Sequence, residues 1–202
     1  MEEYLIRKAL PEDVPYLADV SARAFENDPL TDWLRESAND PLAMERQMFK
    51  AEYRISKRYD LIFTDANRQG VAVWKPPGAR TTLSDRIQQV WMMLGTMKIS
   101  RRTLAKIRFL MDVEKAHPKA PHYYLSLLAV APEMQGKGLG SALMQPILEL
   151  CDREGIPAYL ETETESNVRY YCNKGFQVQQ EVPTRDGLSK VWTMWRDPKK
   201  EI

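Results

Sequence analysis

A glycine-rich segment follows an apolar run in the second half of the sequence. The run covers residues 122–130 (HYYLSLLAV), and the segment covers residues 135–141 (QGKGLGS). The run predicts a strand and the residues after the segment predict a helix, so the segment joins the two. Unpaired backbone N–H groups and the positive end of the helix dipole converge at such a junction. We therefore predict a binding site for a phosphorylated ligand there.

The spacing within this segment excludes two nucleotide-binding motifs. Its pattern is Gln-x-x-Gly-x-Gly, from Gln135 to Gly140, whereas the dinucleotide fingerprint requires Gly-x-Gly-x-x-Gly. A Walker loop is excluded because no Gly-Lys-Ser/Thr stands at the required spacing. From the residues alone, a tight turn without a ligand explains the glycines equally well.

The charge balance argues against partners that bind through a broad electrostatic surface. The 29 Lys and Arg residues almost cancel the 28 Asp and Glu residues, which leaves a formal net charge of +1. Nucleic acids and anionic membranes attract strongly basic surfaces. We therefore predict neither of these partners, and we expect any ligand to be recognised by a local site.

Cysteine and histidine are both rare in this chain. Cys151 and Cys172 are too few for a disulfide framework, and the N-terminus lacks the charged and apolar regions of a signal peptide. These features predict a cytoplasmic protein. His117 and His122 are too few and wrongly spaced for a zinc site, so we predict no metal.

The remaining patterns predict helices and strands that belong to one domain. Short apolar runs predict strands near residues 4–9, 61–65, 71–74, 158–162 and 190–195. Helical spacing predicts helices from about residue 11, over residues 42–56, and from the glycine-rich segment to residue 154. We predict a single domain over residues 1–202, with a mainly helical insert at about residues 82–115.

Two motifs together resemble the GCN5-related N-acetyltransferase (GNAT) superfamily. The coenzyme loop of that superfamily has the form Gln/Arg-x-x-Gly-x-Gly/Ala, which Gln135, Gly138 and Gly140 match. Residues 167–176 (NVRYYCNKGF) match the superfamily's asparagine, followed by a tyrosine four residues before Gly-Phe. Residues 6–14 and 24–29 resemble the branch related to puromycin N-acetyltransferase.

The resemblance implies an α/β (α+β) fold with a mixed, mostly antiparallel sheet of six to seven strands flanked by helices. The sheet would be split between strands four and five. Acetyl-CoA would lie in that split, with its pyrophosphate on the glycine-rich segment and its pantetheine arm along the fourth strand. The cofactor-binding residues implied in this way are Leu128, Val130, Gln135, Gly136, Lys137, Gly138, Leu139, Gly140, Ser141, Asn167 and Tyr171.

The resemblance also makes Tyr171 the candidate general acid. A thiolate leaves when an amine attacks the thioester, and a phenol within hydrogen-bond reach protonates it. Packing of Tyr171 beside Tyr170 and Phe176 is the structural alternative. For Asn167, a contact to the cofactor arm and a cap on the short helix that follows are compatible interpretations.

Several carboxylates are candidates for the general base, which removes a proton from the attacking amine. The attacking amine must be neutral, although amines are normally protonated at pH 7. Glu161 ends the fifth predicted strand and is the candidate base, with Glu163 and Glu165 just beyond it. Glu26 and Asp28 are expected on the substrate side. A run of acids at a strand end is also typical of a solvated loop.

The resemblance thus implies an acyltransferase (EC 2.3.1 type) that moves an acetyl group directly to the primary amine of a small molecule. We expect a monomer or a homodimer. The alternatives are a protein or peptide N-acetyltransferase and a non-catalytic acyl-CoA sensor. Tyr171 beside an intact loop favours catalysis over sensing, and the insert at residues 82–115, which could cover the site, favours a small acceptor.

Overall fold

The computed structural model of the protein describes residues 4–26, 28–35, 40–79, 101–184, 187 and 189–199. In this part of the chain, seven strands form one sheet in the order β1-β2-β3-β4-β5-β7-β6. Their bounds are β1 (Ile6–Lys8), β2 (Ile62–Asp65), β3 (Gly70–Lys75), β4 (Tyr123–Val130), β5 (Ala158–Thr162), β6 (Gln177–Pro183) and β7 (Lys190–Arg196). Only the β4–β5 pair is parallel among these strands. The predicted fold class is therefore confirmed.

Helices pack on both faces of this sheet. They are α1 (Val14–Ala24), α2 (Pro29–Arg35), α3 (Pro41–Ser56), α4 (Arg101–Ala116), α5 (Leu139–Glu154) and α6 (Glu165–Cys172). Strand β3 is buried on both sides because successive side chains point to opposite faces. Ala72 and Trp74 pack with the residues of α5, whereas Val71 and Val73 pack with those of α1 and α3.

A tight turn connects β2 and β3, as the sequence predicts for this hairpin. The carboxylate of Asp65 accepts hydrogen bonds from the backbone N–H groups of Asn67 (2.9 Å), Gln69 (2.7 Å) and Gly70 (2.9 Å). These bonds satisfy donors that the turn would otherwise leave without acceptors. The turn fixes the start of β3 beneath the N-terminal end of α5.

Strand β4 separates from β5 part-way along its length. The two strands pair at Tyr123–Ala158, Tyr124–Tyr159 and Leu125–Leu160, and the pairing stops there. Beyond that point β4 stays paired with β3 as far as Val130, and β5 stays paired with β7 as far as Thr162. The resulting opening, which we call the β4/β5 gap, lies between residues 126–130 and 161–162.

A β-bulge marks the point of separation. Val73 faces Leu127 and Trp74 faces Leu125, so Ser126 has no opposite residue on β3. An extra residue of this kind bends a strand and increases its twist. The Ser126 hydroxyl donates to Glu52 at 2.7 Å, which ties the bulge to α3.

The predicted helical insert at residues 82–115 lies partly outside the described residues, which resume at residue 101 with α4. Phe109 and Val113 of α4 pack against Leu30 of α2 and Val191 of β7. No helix among the described residues combines the length and apolar character that a membrane crossing requires.

The close contact between β3 and α5 at Gly70 generates a stability prediction. A Cβ atom at this position would lie 2.7 Å from Leu143 Cδ1 and 3.2 Å from the Ala129 carbonyl oxygen. We expect Gly70→Ala to lower the free energy of unfolding by about 1–3 kcal/mol, because overpacking displaces a filled core. Urea unfolding measures this change.

A double-mutant cycle distinguishes this contact from a general loss of stability. Leu143→Val removes the atom that the new methyl group would meet. We therefore expect the combined variant to be more stable than the sum of the two single changes implies. Additive changes would contradict the proposed contact.

Candidate active site

The β4 edge that faces the β4/β5 gap carries backbone groups without a strand partner. The Ala131 N–H donates to the Gln69 carbonyl at 2.8 Å, so residue 131 directs its backbone toward β3. Because this direction alternates along an antiparallel strand, Leu128 and Val130 direct theirs toward the gap. The Val130 carbonyl accepts a hydrogen bond from Gln135 Nε2 at 3.1 Å. The edge is therefore open to an extended ligand, and the glycine-rich segment folds back onto its end.

The glycine-rich segment has a backbone shape that requires glycine. Gly136 (φ +73°) and Gly138 (φ +93°) lie in the left-handed region, and a Cβ at either position would meet no atom within 4 Å. The constraint is therefore the backbone conformation, and open space lies beyond both residues. The Tyr4 hydroxyl holds the segment by donating to the Lys137 carbonyl at 3.0 Å.

Helix α5 begins at the end of this segment, with Gly138 as its N-cap. The first intrahelical bond runs from the Ala142 N–H to the Gly138 carbonyl at 3.1 Å. The preceding N–H groups of residues 139–141 thus have no acceptor within the helix. The Leu139 side chain is fully buried in the core, so only its backbone is available to a ligand.

Close packing joins the start of α5 to α6. A Cβ on Gly140 would lie 3.1 Å from Tyr170 Oη and 3.6 Å from Val130 Cγ2. The Ser141 and Tyr170 hydroxyl oxygens lie 3.2 Å apart and share a hydrogen bond. The structure thus brings most of the predicted cofactor-binding residues to one end of the gap.

The sequence predicts a short helix over about residues 167–173, whereas α6 starts two residues earlier, at Glu165, and Thr164 caps it. The Thr164 hydroxyl accepts from the Asn167 N–H at 3.2 Å. The interpretation of Asn167 as the cap is therefore wrong, because a β-branched hydroxyl residue already occupies that position. The Asn167 side chain is left half-buried in the first turn of α6.

Tyr171 lies in the core at the end of α6. It is 7% exposed, and its ring packs against Tyr170 (centroids 5.1 Å apart) and Phe176 (5.9 Å). Burial raises the pKa of Tyr171 well above its usual range, and the nearby Tyr170 and Glu163 raise it further. The phenol is therefore protonated at neutral pH, which is the state that a general acid needs.

Glu161 is surrounded by hydrogen-bond donors where the gap begins. Its carboxylate accepts from Tyr159 Oη at 2.9 Å and from Tyr124 Oη at 3.0 Å. His117 Nδ1 lies 3.4 Å from Glu161 Oε1. Thr162, the next residue, is buried and belongs to the opposite face of β5 by strand alternation.

Glu163 has a different environment from Glu161. Burial raises its pKa to about 8, and the negative charges of Asp28 and Glu161 raise it in the same direction. A carboxyl group that titrates near neutral pH suits general acid–base chemistry. Sequence reasoning placed Glu163 only as a neighbour of Glu161.

The other predicted acidic residues divide into two groups. Asp28 is coupled to Glu163, and its carboxylate also accepts from the Thr31 N–H at 2.8 Å in the first turn of α2. Glu26 and Glu165 have exposed side chains. Glu165 lies 3.9 Å from Arg169 on the surface of α6.

A second ionic cluster borders the bulge, and sequence reasoning missed it. Glu52 lies 3.0 Å from Lys75 Nζ and accepts hydrogen bonds from the Ser56 and Ser126 hydroxyls. Burial would raise the pKa of Glu52, but Lys75 and the two hydroxyls outweigh it and lower the pKa. No local motif indicated this cluster, because its members come from three separate segments of the chain.

A cavity at the other end of α5 is not part of this site. It encloses about 520 Å³ and contains none of the predicted site residues; its lining includes Asp152, Cys172, Lys174 and Arg196. Among the described residues, no three His, Cys, Asp or Glu side chains are grouped so that they could hold a metal ion.

Comparison with known proteins assigns the family. The model of the acetyltransferase (GNAT) family matches residues 62–176, from β2 to the end of the segment after α6. The chain belongs to the acetyltransferase (GNAT) family. The superfamily resemblance predicted from the sequence is thus confirmed.

Relatives and solved structures agree with this GNAT assignment. The chain is 27% identical to an uncharacterized N-acetyltransferase, C550.08, of Schizosaccharomyces pombe, over 88% of this chain and 77% of that protein. A structure described as histone acetyltransferase HPA2 and related acetyltransferase, from Corynebacterium glutamicum, has a TM-score of 0.67 and 24% identity, with 98% of each chain covered. Arylalkylamine N-acetyltransferase 2 of Aedes aegypti has a TM-score of 0.70 and 14% identity, covering 98% of this chain and 100% of that one.

The site fits acetyl-CoA, which the GNAT family uses. Open space beyond Gly136 and Gly138 leaves room for phosphate oxygens beside the free N–H groups of α5. The backbone of Leu128 and the N–H group of Val130 face the gap and offer strand-like hydrogen bonds to an extended arm.

The glycine-rich segment provides a binding prediction. We expect Gly138→Glu to abolish acetyl-CoA binding, because it places a side chain and a negative charge in the open space beside the free N–H groups. Calorimetric titration of the folded variant measures this loss.

Gly155→Glu is the matched control for backbone strain. Gly155 also has a positive φ (+68°) with nothing within 4 Å of its Cβ position. It ends the same helix, roughly 24 Å away at 1.5 Å per residue. We expect Gly155→Glu to retain binding. Unchanged affinity in folded Gly138→Glu would show that the segment is only a turn.

The raised pKa of Glu163 predicts a pH-dependent stability difference. Its pKa is about 8 in the folded protein against an ordinary value of 4.5. The folded state therefore holds this proton more tightly, and stability is lost as pH rises from about 4.5 to 8. We expect the melting temperature of Glu163→Gln, relative to wild type, to rise over that interval and then level off. The same difference for Glu165→Gln, at an exposed position, should stay flat. Parallel pH profiles for Glu163→Gln and wild type would contradict the assignment.

Proposed function

We propose that the protein transfers the acetyl group of acetyl-CoA directly to the primary amine of a small molecule. The observation that carries this proposal is the group of coupled carboxyls, Asp28, Glu161 and Glu163, beside the β4/β5 gap. A protonated amine is attracted to such a group, and the gap brings it to the open edge of β4. The family assignment supports the acetyl transfer itself.

The proposal gives the cofactor-binding residues distinct tasks. The N–H groups of the glycine-rich segment and of the first turn of α5 hold the pyrophosphate, and Lys137 adds a positive charge. The backbone of Leu128 and Val130 aligns the pantetheine arm, and Asn167 bonds to it. When bound, acetyl-CoA supplies a thioester with an electrophilic carbonyl carbon and a thiolate leaving group. A β4 N–H polarises that carbonyl where negative charge develops.

Glu163 is the base in this proposal, and Glu161 is a proton acceptor next to it. A base is most effective when its pKa lies near the working pH, and the pKa of Glu163 is raised to about 8. A bound ammonium lowers that pKa by stabilising the carboxylate. Glu161 is already engaged by two phenols, which leaves Glu163 as the less restrained carboxylate.

Tyr171 is the acid in this proposal. Its raised pKa keeps the phenol protonated, so its O–H can donate a hydrogen bond to the departing thiolate and hold it in place or protonate it. Glu163 contributes to that raised pKa, so the proposed acid and base influence each other electrostatically. Glu26, which is exposed, belongs to the outer substrate side.

Several further statements belong to the same proposal. Residues 1–202 form one domain, and small amines are preferred over peptides as acceptors. The Aedes aegypti neighbour, whose name specifies arylalkylamines, agrees with a small acceptor. A cytoplasmic location, the absence of nucleic-acid and membrane partners, a monomer or homodimer, and the puromycin N-acetyltransferase branch remain predictions.

The direct experiment is an acceptor panel. Release of CoA from acetyl-CoA is followed with polyamines, arylalkylamines, aminoglycosides, amino acids and peptides, and mass spectrometry identifies the acetylated product. We expect turnover with one class of small amines. Turnover with peptides alone would favour the protein acetyltransferase alternative. Acetyl-CoA binding without any turnover would favour the sensor.

The carboxyl groups of Asp28, Glu161 and Glu163 predict that added salt weakens acceptor binding. Exposed charges are screened over about 10 Å at 0.1 M salt. We therefore expect rising ionic strength to raise the KM for a cationic acceptor while kcat changes little. The KM for acetyl-CoA, measured in the same buffers, separates this effect from screening at Lys137. A preference for uncharged acceptors would contradict the proposal.

Tyr171→Phe tests the proposed acid. The change keeps the ring and its packing but removes the proton, so we expect acetyl-CoA affinity to persist while turnover falls roughly 10²–10⁴-fold. Tyr123→Phe is the matched control, since it removes a hydroxyl that donates to Glu154 at 2.8 Å rather than facing the site. Wild-type turnover in Tyr171→Phe would leave Tyr171 with a packing role only.

A further inference from the structure

The two histidines of the chain contact each other over the paired residues of β4 and β5, although sequence reasoning gave them no role. His117 follows α4 and His122 precedes β4. Their Nε2 atoms lie 3.1 Å apart, and His122 Nδ1 lies 2.7 Å from the Ala120 carbonyl oxygen. On its other side, His117 Nδ1 lies 3.4 Å from Glu161 Oε1. These contacts form a continuous chain from a backbone carbonyl to a carboxylate at the start of the gap.

The fixed carbonyl determines where the protons in this chain reside. A carbonyl oxygen only accepts hydrogen bonds, so His122 Nδ1 carries a proton and donates it to Ala120. Burial lowers the pKa of His122, which keeps this ring neutral and its Nε2 free to accept. His117 Nε2 therefore carries the proton in the contact between the two rings. His122 thus fixes the tautomer of His117.

The contact between His117 and Glu161 then requires one additional proton. Without it, the Nδ1 lone pair of neutral His117 would face the lone pairs of the Glu161 carboxylate. One proton shared between Nδ1 and Oε1 converts this repulsion into a hydrogen bond. The Tyr124 and Tyr159 hydroxyls hold the carboxylate in place by donating to it. The His117–Glu161 pair is thus built to bind a single proton.

We propose that the His117–Glu161 pair accepts the proton released by amine acetylation and passes it to solvent, with His122 as the positioning residue. This rests on the proposed function. The ammonium nitrogen loses two protons when it becomes an amide. One proton replaces the proton that Tyr171 gives to the departing thiolate, and the other must leave the site. The His117 side chain is 29% exposed, which gives that proton an exit to water.

Several titratable and charged groups surround the His117–Glu161 pair. Beside Glu161, β5 contributes Tyr159 and β4 contributes Tyr124, both as neutral donors. Lys75 Nζ lies 5.5 Å from the centre of the Tyr124 ring, and Glu52 neutralises it at 3.0 Å. From α4, Glu114 acts electrostatically on Tyr159. Glu161 acts electrostatically on Glu163, which is the base of the proposed function and hence the source of the proton in this proposal.

Nuclear magnetic resonance tests the arrangement independently of activity. The chain contains 2 histidines, so long-range ¹H–¹⁵N correlation spectra of labelled protein resolve both rings without ambiguity. We expect His122 as the Nδ1–H tautomer and His117 with a proton on Nε2. We also expect Glu161→Gln to move the ¹⁵N resonance of His117 Nδ1, because the change replaces the carboxylate that this nitrogen faces. An Nε2–H tautomer at His122, or a His117 Nδ1 resonance unaffected by Glu161→Gln, would overturn the proposal.

Chemical rescue tests the use of the pair in turnover. We expect His117→Ala to lower kcat by about 10²-fold, the lower end for a proton-transfer group, with acetyl-CoA affinity preserved. Added imidazoles should restore turnover in proportion to their basicity, and they should not stimulate wild type. His122→Gln keeps a side-chain acceptor and should retain more activity than His122→Phe.

The outcomes separate this proposal from the proposed function. A folded His117→Ala variant with wild-type kcat, or with a loss that imidazoles do not restore, would overturn the proton exit while wild type still acetylates amines. If wild type acetylates no amine, the proposed function fails instead. The tautomers and the His117 Nδ1 resonance then still decide whether the pair shares one proton.

Discussion

Strand β4 pairs with β5 over only three residue pairs, and the rest of the structure depends on where that pairing stops. The unpaired residue Ser126 bends β4 at this point, while β3 holds the strand on its other side. The bend therefore leaves the backbone of Leu128 and Val130 facing open space without unfolding the sheet. The bend also directs the end of β4 toward the glycine-rich segment. Gln135 of that segment donates a hydrogen bond to the Val130 carbonyl. A free strand edge and a helix N-terminus thus lie next to each other for one structural reason.

Three carboxyl groups near this separation differ in their hydrogen-bond donors and charged neighbours. Glu161 and Glu52 are both well supplied with donors, from two phenols in one case and from Lys75 and two hydroxyls in the other. Burial and the negative charges of Asp28 and Glu161 raise the pKa of Glu163 to about 8, although its own backbone N–H acts in the opposite direction. Burial is common to Glu52 and Glu163, yet their pKa values move in opposite directions. The partners decide the direction, and the least satisfied carboxyl is the one suited to exchange protons.

Local patterns predicted the parts of the molecule that depend on neighbours in sequence. The apolar run before the glycine-rich segment, the hairpin of β2 and β3, and the match of Tyr171 to the Gly-Phe motif all span short segments. The features that the sequence did not predict join residues that are far apart in the sequence. Glu161 and His117 are 44 residues apart, and Glu52 and Ser126 are 74 apart. No spacing rule relates such positions, because the fold alone brings them together. The mistaken cap on α6 is an exception, since Thr164 was visible as a better capping residue.

The same residues have opposite effects on the stability of the fold and on the proposed chemistry. Gly138 holds a backbone shape that other residues reach only with strain, and ionised Glu163 destabilises the folded state. Neither feature benefits the isolated fold. Both become favourable when a phosphate binds to the free N–H groups of α5 and an ammonium binds beside the carboxylate of Glu163. A ligand that binds only the folded state also stabilises that state. The open end of α5 and the ionised carboxyl of Glu163 are therefore features that an acetyl donor and a cationic acceptor would complete.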